Sequence, residues 1–244
     1  MASIPLLAKS PVHFPDPRSA IDEPDGLLAA GGDLTPEWLV TAYSHGIFPW
    51  FNDDAEPIYW WSPKLRGVLV PGQMRITRSL AKRLRSSALE IRIDENFDMV
   101  IKACAETPRN GQEGTWITPL MQAAYQELFR LGVAHCVEVW QDETLVGGLY
   151  GLTLGKMFFG ESMFSRITDA SKVAFHDLQR RLAAADYELI DCQMMNPHLA
   201  TLGVQEMHRN EFLDCLARNR HLPPSAGHEH WLAALEASID DEQN

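Results

Sequence analysis

The sequence predicts an α+β fold built on a mixed sheet, and three features of it carry that expectation. From about residue 89 onward the hydrophobic periodicity alternates between helical and strand-like. Within that stretch three strand-like runs follow one another with only turn residues between them, which is the pattern of an antiparallel meander. The succession of helix, helix, antiparallel strands, helix, strand, helix is not a run of βαβ units, so a Rossmann or barrel architecture is not expected. With 244 residues, 45% of them apolar, the chain can bury one large core or two modest ones.

The elements follow in order. Residues 1–63 read as a small, loop-rich N-terminal α+β domain, punctuated by Pro5, Pro11, Pro15, Pro17 and Pro24. In it Asp33-Leu34-Thr35-Pro36-Glu37 supplies a cap and a first-turn proline, Leu39, Ala42 and Tyr43 an apolar stripe, and His45-Gly46 a stop. Thr77 or Ser79 can cap a short helix with Leu80 and Leu84 turned inward. Leu89 to Ile93 alternates like a strand, and Phe97, Val100, Ile101 and Cys104 form a helical stripe. Thr118-Pro119 opens a stronger helix carrying Met121, Ala124, Tyr125 and Leu128 inward and ending at Gly132. The meander runs over His135–Gln141, Thr144–Leu154 and Lys156–Glu161. A long amphipathic helix from about Asp169 to Ala185 follows, then a buried strand with polar interruptions, Leu189 to Met194. The expected division is 1–63, then 64–235 opening with a basic segment (64–85), then an acidic tail, 236–244.

Composition excludes several classes. No run of 18 apolar residues exists, so no membrane span is expected. Met-Ala-Ser-Ile-Pro is not a basic region followed by an apolar block, and no secretory signal is read there. Cys104, Cys136, Cys192 and Cys215 form no C-x-x-C pair, which fits a reduced, cytoplasmic protein without structural zinc. His228-Glu229-His230 could bind a metal, but two such ligands side by side are more often a surface accident, and no metal site is expected. Nothing around Cys192 marks it as a nucleophile.

The net charge of −12 conceals a strong asymmetry. Between Pro57 and Leu89 there is no Asp or Glu, while Lys64, Arg66, Arg75, Arg78, Lys82, Arg83 and Arg85 all fall there. Screening confines electrostatics to about 8–10 Å, so such a segment can meet phosphates whatever the overall sign. A solvated helix face is the other reading. Beside it lie Trp50, Trp60 and Trp61, either packing bulk for a small module or a platform on which a base stacks.

Polar residues inside apolar runs mark the candidate chemistry. Glu161 lies between Phe158-Phe159 and Met163-Phe164, and Asp191 and Gln193 stand two apart, on one face of the last strand. Carboxylates in such settings are either satisfied hydrogen-bond anchors, with Arg166 neutralising one, or groups that move protons or hold an amine. There is no Walker loop, no H-E-x-x-H, no G-x-S-x-G, and no G-x-G-x-x-G following a strand.

Six segments together resemble the leucyl/phenylalanyl-tRNA–protein transferase family. They are Gly26-Leu27-Leu28-Ala29-Ala30-Gly31-Gly32-Asp33-Leu34, Gly46-Ile47-Phe48-Pro49-Trp50-Phe51, Trp60-Trp61-Ser62-Pro63, Glu113-Gly114-Thr115-Trp116-Ile117-Thr118, Phe159-Gly160-Glu161-Ser162-Met163-Phe164-Ser165 and Ile190-Asp191-Cys192-Gln193. The resemblance implies a small N-terminal domain joined to a C-terminal domain of the GNAT acetyltransferase type. The stretch Arg166–Lys172, before the long helix, lacks the glycine-containing loop that holds coenzyme A in ordinary GNAT enzymes, which disfavours an acyl-coenzyme A donor.

The implied reaction transfers Leu or Phe, less readily Met, from aminoacyl-tRNA to an N-terminal Arg or Lys of an acceptor protein, marking it for N-degron-dependent degradation. No metal or redox cofactor is required, no membrane partner is implied, and a monomer is expected. By motif, Trp50 and Trp116 would stack on the terminal adenosine, and Arg78, Lys82 and Arg83 would meet acceptor-stem phosphates. Asp191 and Gln193 would bind and orient the attacking amine, with Asp191 relaying its proton and Asn196 assisting, and Glu161 would hold the donor's amino group or help fix the acceptor. Met157, Phe158, Met163 and Phe175 would line the aminoacyl pocket. Two rivals stay open: a coenzyme A-dependent acyltransferase and a non-catalytic RNA-binding module.

Overall fold

The computed structural model describes residues 4–85, 88–107 and 115–223. His228, His230 and the acidic tail lie outside the described residues, as do Glu113 and Gly114.

Two sheets organise the chain. The smaller has strands β1 (Leu6–Leu7), β2 (Leu27–Gly31), β3 (Phe48–Pro49) and β4 (Tyr59–Trp61) in the order β1-β2-β4-β3, with helix α1 (Pro36–Ser44) between β2 and β3. Helix α1 begins where its sequence says it should: Thr35 is the cap, its hydroxyl accepting from the Trp38 amide, and Pro36 occupies the first turn.

The larger sheet has seven strands in the order β11-β5-β10-β9-β8-β7-β6. They are β5 (Leu65–Leu69), β6 (Glu90–Ile93), β7 (Ala134–Gln141), β8 (Thr144–Leu154), β9 (Met157–Ser165), β10 (Leu189–Asp191) and β11 (Gln205–His208). The meander is β7-β8-β9, and its first turn places Asp142 and Glu143 at φ 48° and 58°, the geometry a two-residue hairpin requires. Helix α5 (Ala170–Ala184) then carries the chain over to β10, which runs parallel to β9. Helices α3 (Phe97–Glu106) and α4 (Pro119–Arg130) cover one face; α5 and the short α2 (Arg78–Leu84) cover the other. The sheet is therefore mixed and covered on both faces, as the α+β expectation required. The meander, crossover helix and parallel strand also follow the order the resemblance implies.

The two sheets share one core. Leu28, Leu39, Tyr43, Phe48 and Trp60 pack in the same apolar cluster as Val100, Met121, Tyr125, Phe159 and Phe212. Trp60 is fully buried and stacks on Trp38, so this member of the tryptophan group is packing bulk.

The structure departs from the sequence reading in three places that matter for the site. The stretch Leu65–Leu69 is a strand, inserted antiparallel between β10 and β11. Its sequence reads only as part of a basic segment, because Arg66 interrupts its apolar pattern. Strand β10 stops at Asp191 instead of running to Met194, because Gln193 adopts φ 60° and its amide turns back to the Asp191 carboxylate. Asp191 and Gln193 are thus joined by a turn and do not share a strand face. Strand β9 carries a bulge: Tyr150 pairs with Ser162 and Gly151 with Gly160, leaving Glu161 as the extra residue. Gly151 is needed opposite it, since a Cβ there would sit 2.2 Å from the Phe159 carbonyl oxygen.

Candidate active site

The pairing of β9 and β10 ends at Phe159–Asp191. Beyond that point the bulge turns β9 and the Gln193 turn diverts the other chain, so the two parallel strands part. A cleft of about 830 Å³ opens there, beyond the carboxyl ends of parallel strands, where open sheets commonly bind ligands. The volume lies within the ~300–1,000 Å³ of pockets that enclose small ligands.

Its walls come from four parts of the chain. Phe48 and Pro49 come from β3, Trp50 directly follows it, and Trp116 comes from the segment before α4. Leu149, Phe158, Met163, Phe175 and Leu178 give an apolar lining from β8, β9 and α5. Gln193, Met194, Met195 and Asn196 follow β10. Trp50 and Trp116 are both only partly buried, unlike Trp60. Trp50 is held edge-on to Trp61 at 5.5 Å, and the Trp61 indole N–H donates to the Trp50 carbonyl at 2.8 Å.

Met157 does not line the cleft. Adjacent residues of a strand point to opposite faces, so Met157 falls on the α3 side while Phe158 faces α5. Met163 rejoins the Phe158 side only because the bulge at Glu161 shifts the alternation by one. Leu149 and Leu178 are among the lining residues that sequence reading missed.

Glu161 is 8% exposed and sits in a cage of donors. It accepts from the Tyr43 hydroxyl at 2.6 Å, the Tyr125 hydroxyl at 3.0 Å and the Gln193 side-chain amide at 2.8 Å, and the two tyrosine hydroxyls also contact each other. Burial pushes its pKa up to about 7, against the three hydrogen bonds that pull it down. Burial also keeps both tyrosines protonated, well above the usual phenol range. Tyr43 and Tyr125 were legible as apolar-stripe residues, but their role was not. A buried phenol needs a hydrogen-bond partner, and a buried carboxylate needs donors; that complementarity was the available signal.

Asp191 is fully buried and does not line the cleft. Its carboxylate is taken by Arg66, whose Nε and Nη2 donate at 2.9 and 2.7 Å, and its Oδ1 also accepts the Gln193 amide at 2.8 Å. Asp191 therefore stands behind the cleft, joined to Gln193 through that residue's amide, and has no face open for the direct amine contact expected of it. The cation that neutralises it is Arg66, not Arg166; the latter donates to the Leu145 carbonyl and lies over Phe164. Gln193 does face the cleft. Its Nε2 is committed to Glu161, which leaves Oε1 as the acceptor available to a ligand. Asn196 lines the cleft too, with its own Oδ1 capping helix α6 (Pro197–Thr201) at the Leu199 amide. Cys192 lines the cleft, and burial pushes its thiol above the ordinary range, so it is not poised as a nucleophile.

The basic segment divides. Arg66 is buried in its ion pair and Lys64 is paired with Asp22 at 2.8 Å. Arg75, Arg78, Lys82 and Arg85 are exposed, and Arg83 is half-buried, on and around α2. Helix α2 packs on α5, and the Arg75 amide donates to the Leu202 carbonyl after α6, so this cationic surface adjoins elements that also wall the cleft. Among the described residues no group of three or more His, Cys, Asp or Glu is placed to hold a metal, and no helix is long and apolar enough to cross a membrane.

Among solved structures, a GCN5-related N-acetyltransferase from Kribbella flavida is 11% identical with a TM-score of 0.36, over 70% of this chain and 60% of that one. L-PGS from Bacillus licheniformis is 10% identical with a TM-score of 0.39, over 70% and 54%. These likenesses are too distant to bear on the site. The sequence relatives are much nearer. Leucyl/phenylalanyl-tRNA–protein transferases from Pseudomonas aeruginosa PAO1 and Azoarcus sp. BH72 are 54% and 56% identical, covering 90% and 97% of this chain and 96% and 99% of theirs. The model of the family matches residues 68–217 and that of its N-terminal domain residues 32–64. Together these matches take in the Trp50 loop, the Glu161 bulge and the Gln193 turn, and the chain belongs to the leucyl/phenylalanyl-tRNA–protein transferase family.

Proposed function

We propose that this aminoacyltransferase moves Leu or Phe, and less readily Met, from tRNA to the N-terminal Arg or Lys of cytoplasmic proteins, marking them for degradation. The observation that carries the site assignment is the single cleft in which Trp50 and Trp116 share walls with an apolar lining and with the Gln193 amide. A terminal adenosine stacked on the two indoles would leave its aminoacyl ester beside the apolar wall of Leu149, Phe158, Met163, Phe175 and Leu178. Side chains unbranched at Cβ suit such a wall. Phosphates of the acceptor stem would lie on Arg78, Lys82 and Arg83. In this reading residues 1–63 supply the Trp50 wall and the chain from residue 64 supplies the reaction centre.

The chemistry is aminolysis of an ester. A neutral α-amine attacks the aminoacyl carbonyl, the C–N bond forms, and the ester C–O bond breaks. The departing 3′-oxygen leaves with the proton that the amine loses. Gln193 Oε1 accepts a hydrogen from the incoming amine, and Glu161, braced by Tyr43 and Tyr125, keeps that amide from rotating. Such alignment can be worth ~7–11 kcal/mol, more than the ~10²–10⁴-fold of a proton acceptor, so positioning dominates.

The test is to incubate the protein with Leu-charged tRNA and an Arg-initiated peptide. Mass spectrometry should show the peptide gaining one leucine. No gain with intact charged tRNA would refute the proposal, and binding of coenzyme A would favour the acyl-coenzyme A alternative.

A further inference from the structure

Arg66 is the most unusual side chain outside the cleft. It is 1% exposed, yet every face of its guanidinium is used. Nε and Nη2 form the fork to Asp191, and Nη1 donates to the Gly46 carbonyl at 3.0 Å. The ring of Phe48 lies 4.8 Å from the guanidinium carbon and that of Phe212, on helix α7 (Arg209–Asn219), 4.6 Å.

Stability does not explain such a group. Removing an arginine from water costs several kcal/mol, and replacing a buried ion pair by apolar residues of similar volume is often neutral or stabilising. Apolar neighbours such as Phe48 and Phe212 would accept a methionine. What an apolar residue cannot do is impose direction, and the directions here are informative. One end of the guanidinium holds Asp191, whose Oδ1 fixes the Gln193 amide. The other end holds Gly46 and Phe48, the start of the loop that carries Trp50. The residue after Arg66 adds two bonds to the same turn: the Gly67 carbonyl accepts from Cys192 at 2.7 Å, and its amide donates to the Gln193 carbonyl at 2.8 Å.

We infer that Arg66 is a positioning residue for aminoacyl transfer, a strut that fixes the Trp50 wall of the cleft relative to the Gln193 turn. The donor's ester and the amine-orienting amide would be held by different segments of the chain, and Arg66 joins the two behind the cleft. Only an arginine can do this, because the geometry requires a planar fork with a third donor between two rings. This inference rests on the cleft being the transfer site.

Two variants test it. Arg66→Met combined with Asp191→Leu removes the pair without leaving an uncompensated charge. Arg66→Lys keeps the charge but loses the fork. Transfer of leucine to an Arg-initiated peptide is measured for each, together with melting temperature. The expected result is melting within a few degrees of wild type for at least one variant, with kcat at least tenfold lower and KM for Leu-charged tRNA within about twofold. A folded variant with wild-type kcat overturns the inference. So does failure of both variants to fold, which would make the pair a structural requirement. Gln193→Ala and Trp50→Ala serve as controls: wild-type transfer in both would overturn the cleft assignment itself, whatever the Arg66 variants do.

Discussion

Replacing Glu161 by Gln should abolish a pH dependence of stability that the wild type carries, and the geometry says why. Three hydrogen bonds link Tyr43, Tyr125 and Glu161 in a ring, but the two phenols supply only two protons. With Glu161 ionised, one side of the ring lacks a hydrogen. With Glu161 protonated on Oε2 the ring closes: the acid donates to Tyr125, Tyr125 to Tyr43, and Tyr43 to Oε1, which also accepts from Gln193. Burial outweighs the hydrogen bonds from Tyr43, Tyr125 and Gln193, which favour the ionised form, and the pKa rises from 4.5 to about 7. A carboxyl whose folded pKa lies above its unfolded value stabilises the fold fully below pH 4.5, and that contribution is lost as pH rises through 7. At ~1.4 kcal/mol per pH unit the loss between the two values is about 3 kcal/mol. A glutamine reproduces the protonated ring, its amide donating where the acid did, and does not titrate. Urea unfolding of wild type and Glu161→Gln at pH 5, 6, 7 and 8 isolates the effect, because titration of all other groups cancels in the difference. Relative to wild type the variant should gain about 2–3 kcal/mol from pH 5 to pH 8, most of it by pH 7. A difference that stays flat across this range would mean that Glu161 is ionised throughout, and the proton-count argument would fail.

Three further expectations concern α2, Trp116 and the bulge. Changing Arg78, Lys82 and Arg83 together to alanine should weaken binding of charged tRNA and lower the slope of log K against log salt by up to ~0.7–0.9 for each phosphate no longer neutralised; an unchanged slope would remove α2 from the interface. Trp116→Ala should raise KM for the charged tRNA by the ~1–3 kcal/mol of a base stack, roughly 5- to 150-fold, while the melting temperature holds; a protein that merely unfolds would identify Trp116 as packing. Gly151→Ala drives a Cβ to 2.2 Å from the Phe159 carbonyl oxygen and should cost about 1–3 kcal/mol in chemical denaturation, and a neutral substitution would show that the bulge relaxes freely.

Much of the fold was legible because local signals and tertiary structure agree along most of the chain. Thr35-Pro36 and Thr118-Pro119 are caps in the structure as in the sequence, and Asp142-Glu143 makes the turn its position suggested. Strand β5 was hidden by Arg66. Strand recognition relies on apolar alternation, and an arginine in a five-residue strand reads as a solvent-facing break. Its partner Asp191 lies 125 positions away, so no local window contains the pair that makes its burial possible. The N-terminal unit was expected to be α+β, but its individual strands could not be placed for a related reason: strands of two residues such as β1 and β3 carry no periodicity at all.

The candidate site was legible in residue types but not in geometry, and the difference lies in two backbone irregularities. Strict alternation would put Met157 with Met163, and Asp191 with Gln193. The bulge at Glu161 breaks the first pairing and the φ of 60° at Gln193 breaks the second. Each irregularity costs ladder hydrogen bonds that a regular strand would keep, and each falls where β9 and β10 separate. That coincidence explains the cost. A bulge re-aims the side chain it displaces, here sending Glu161 toward Tyr43 and Tyr125, and the Gln193 turn swings its amide toward the same carboxylate. Regular strands would have kept the sheet closed and the carboxylate and amide apart. The polar interruptions in two apolar runs are therefore sequence marks of the points where the sheet gives way to the cleft.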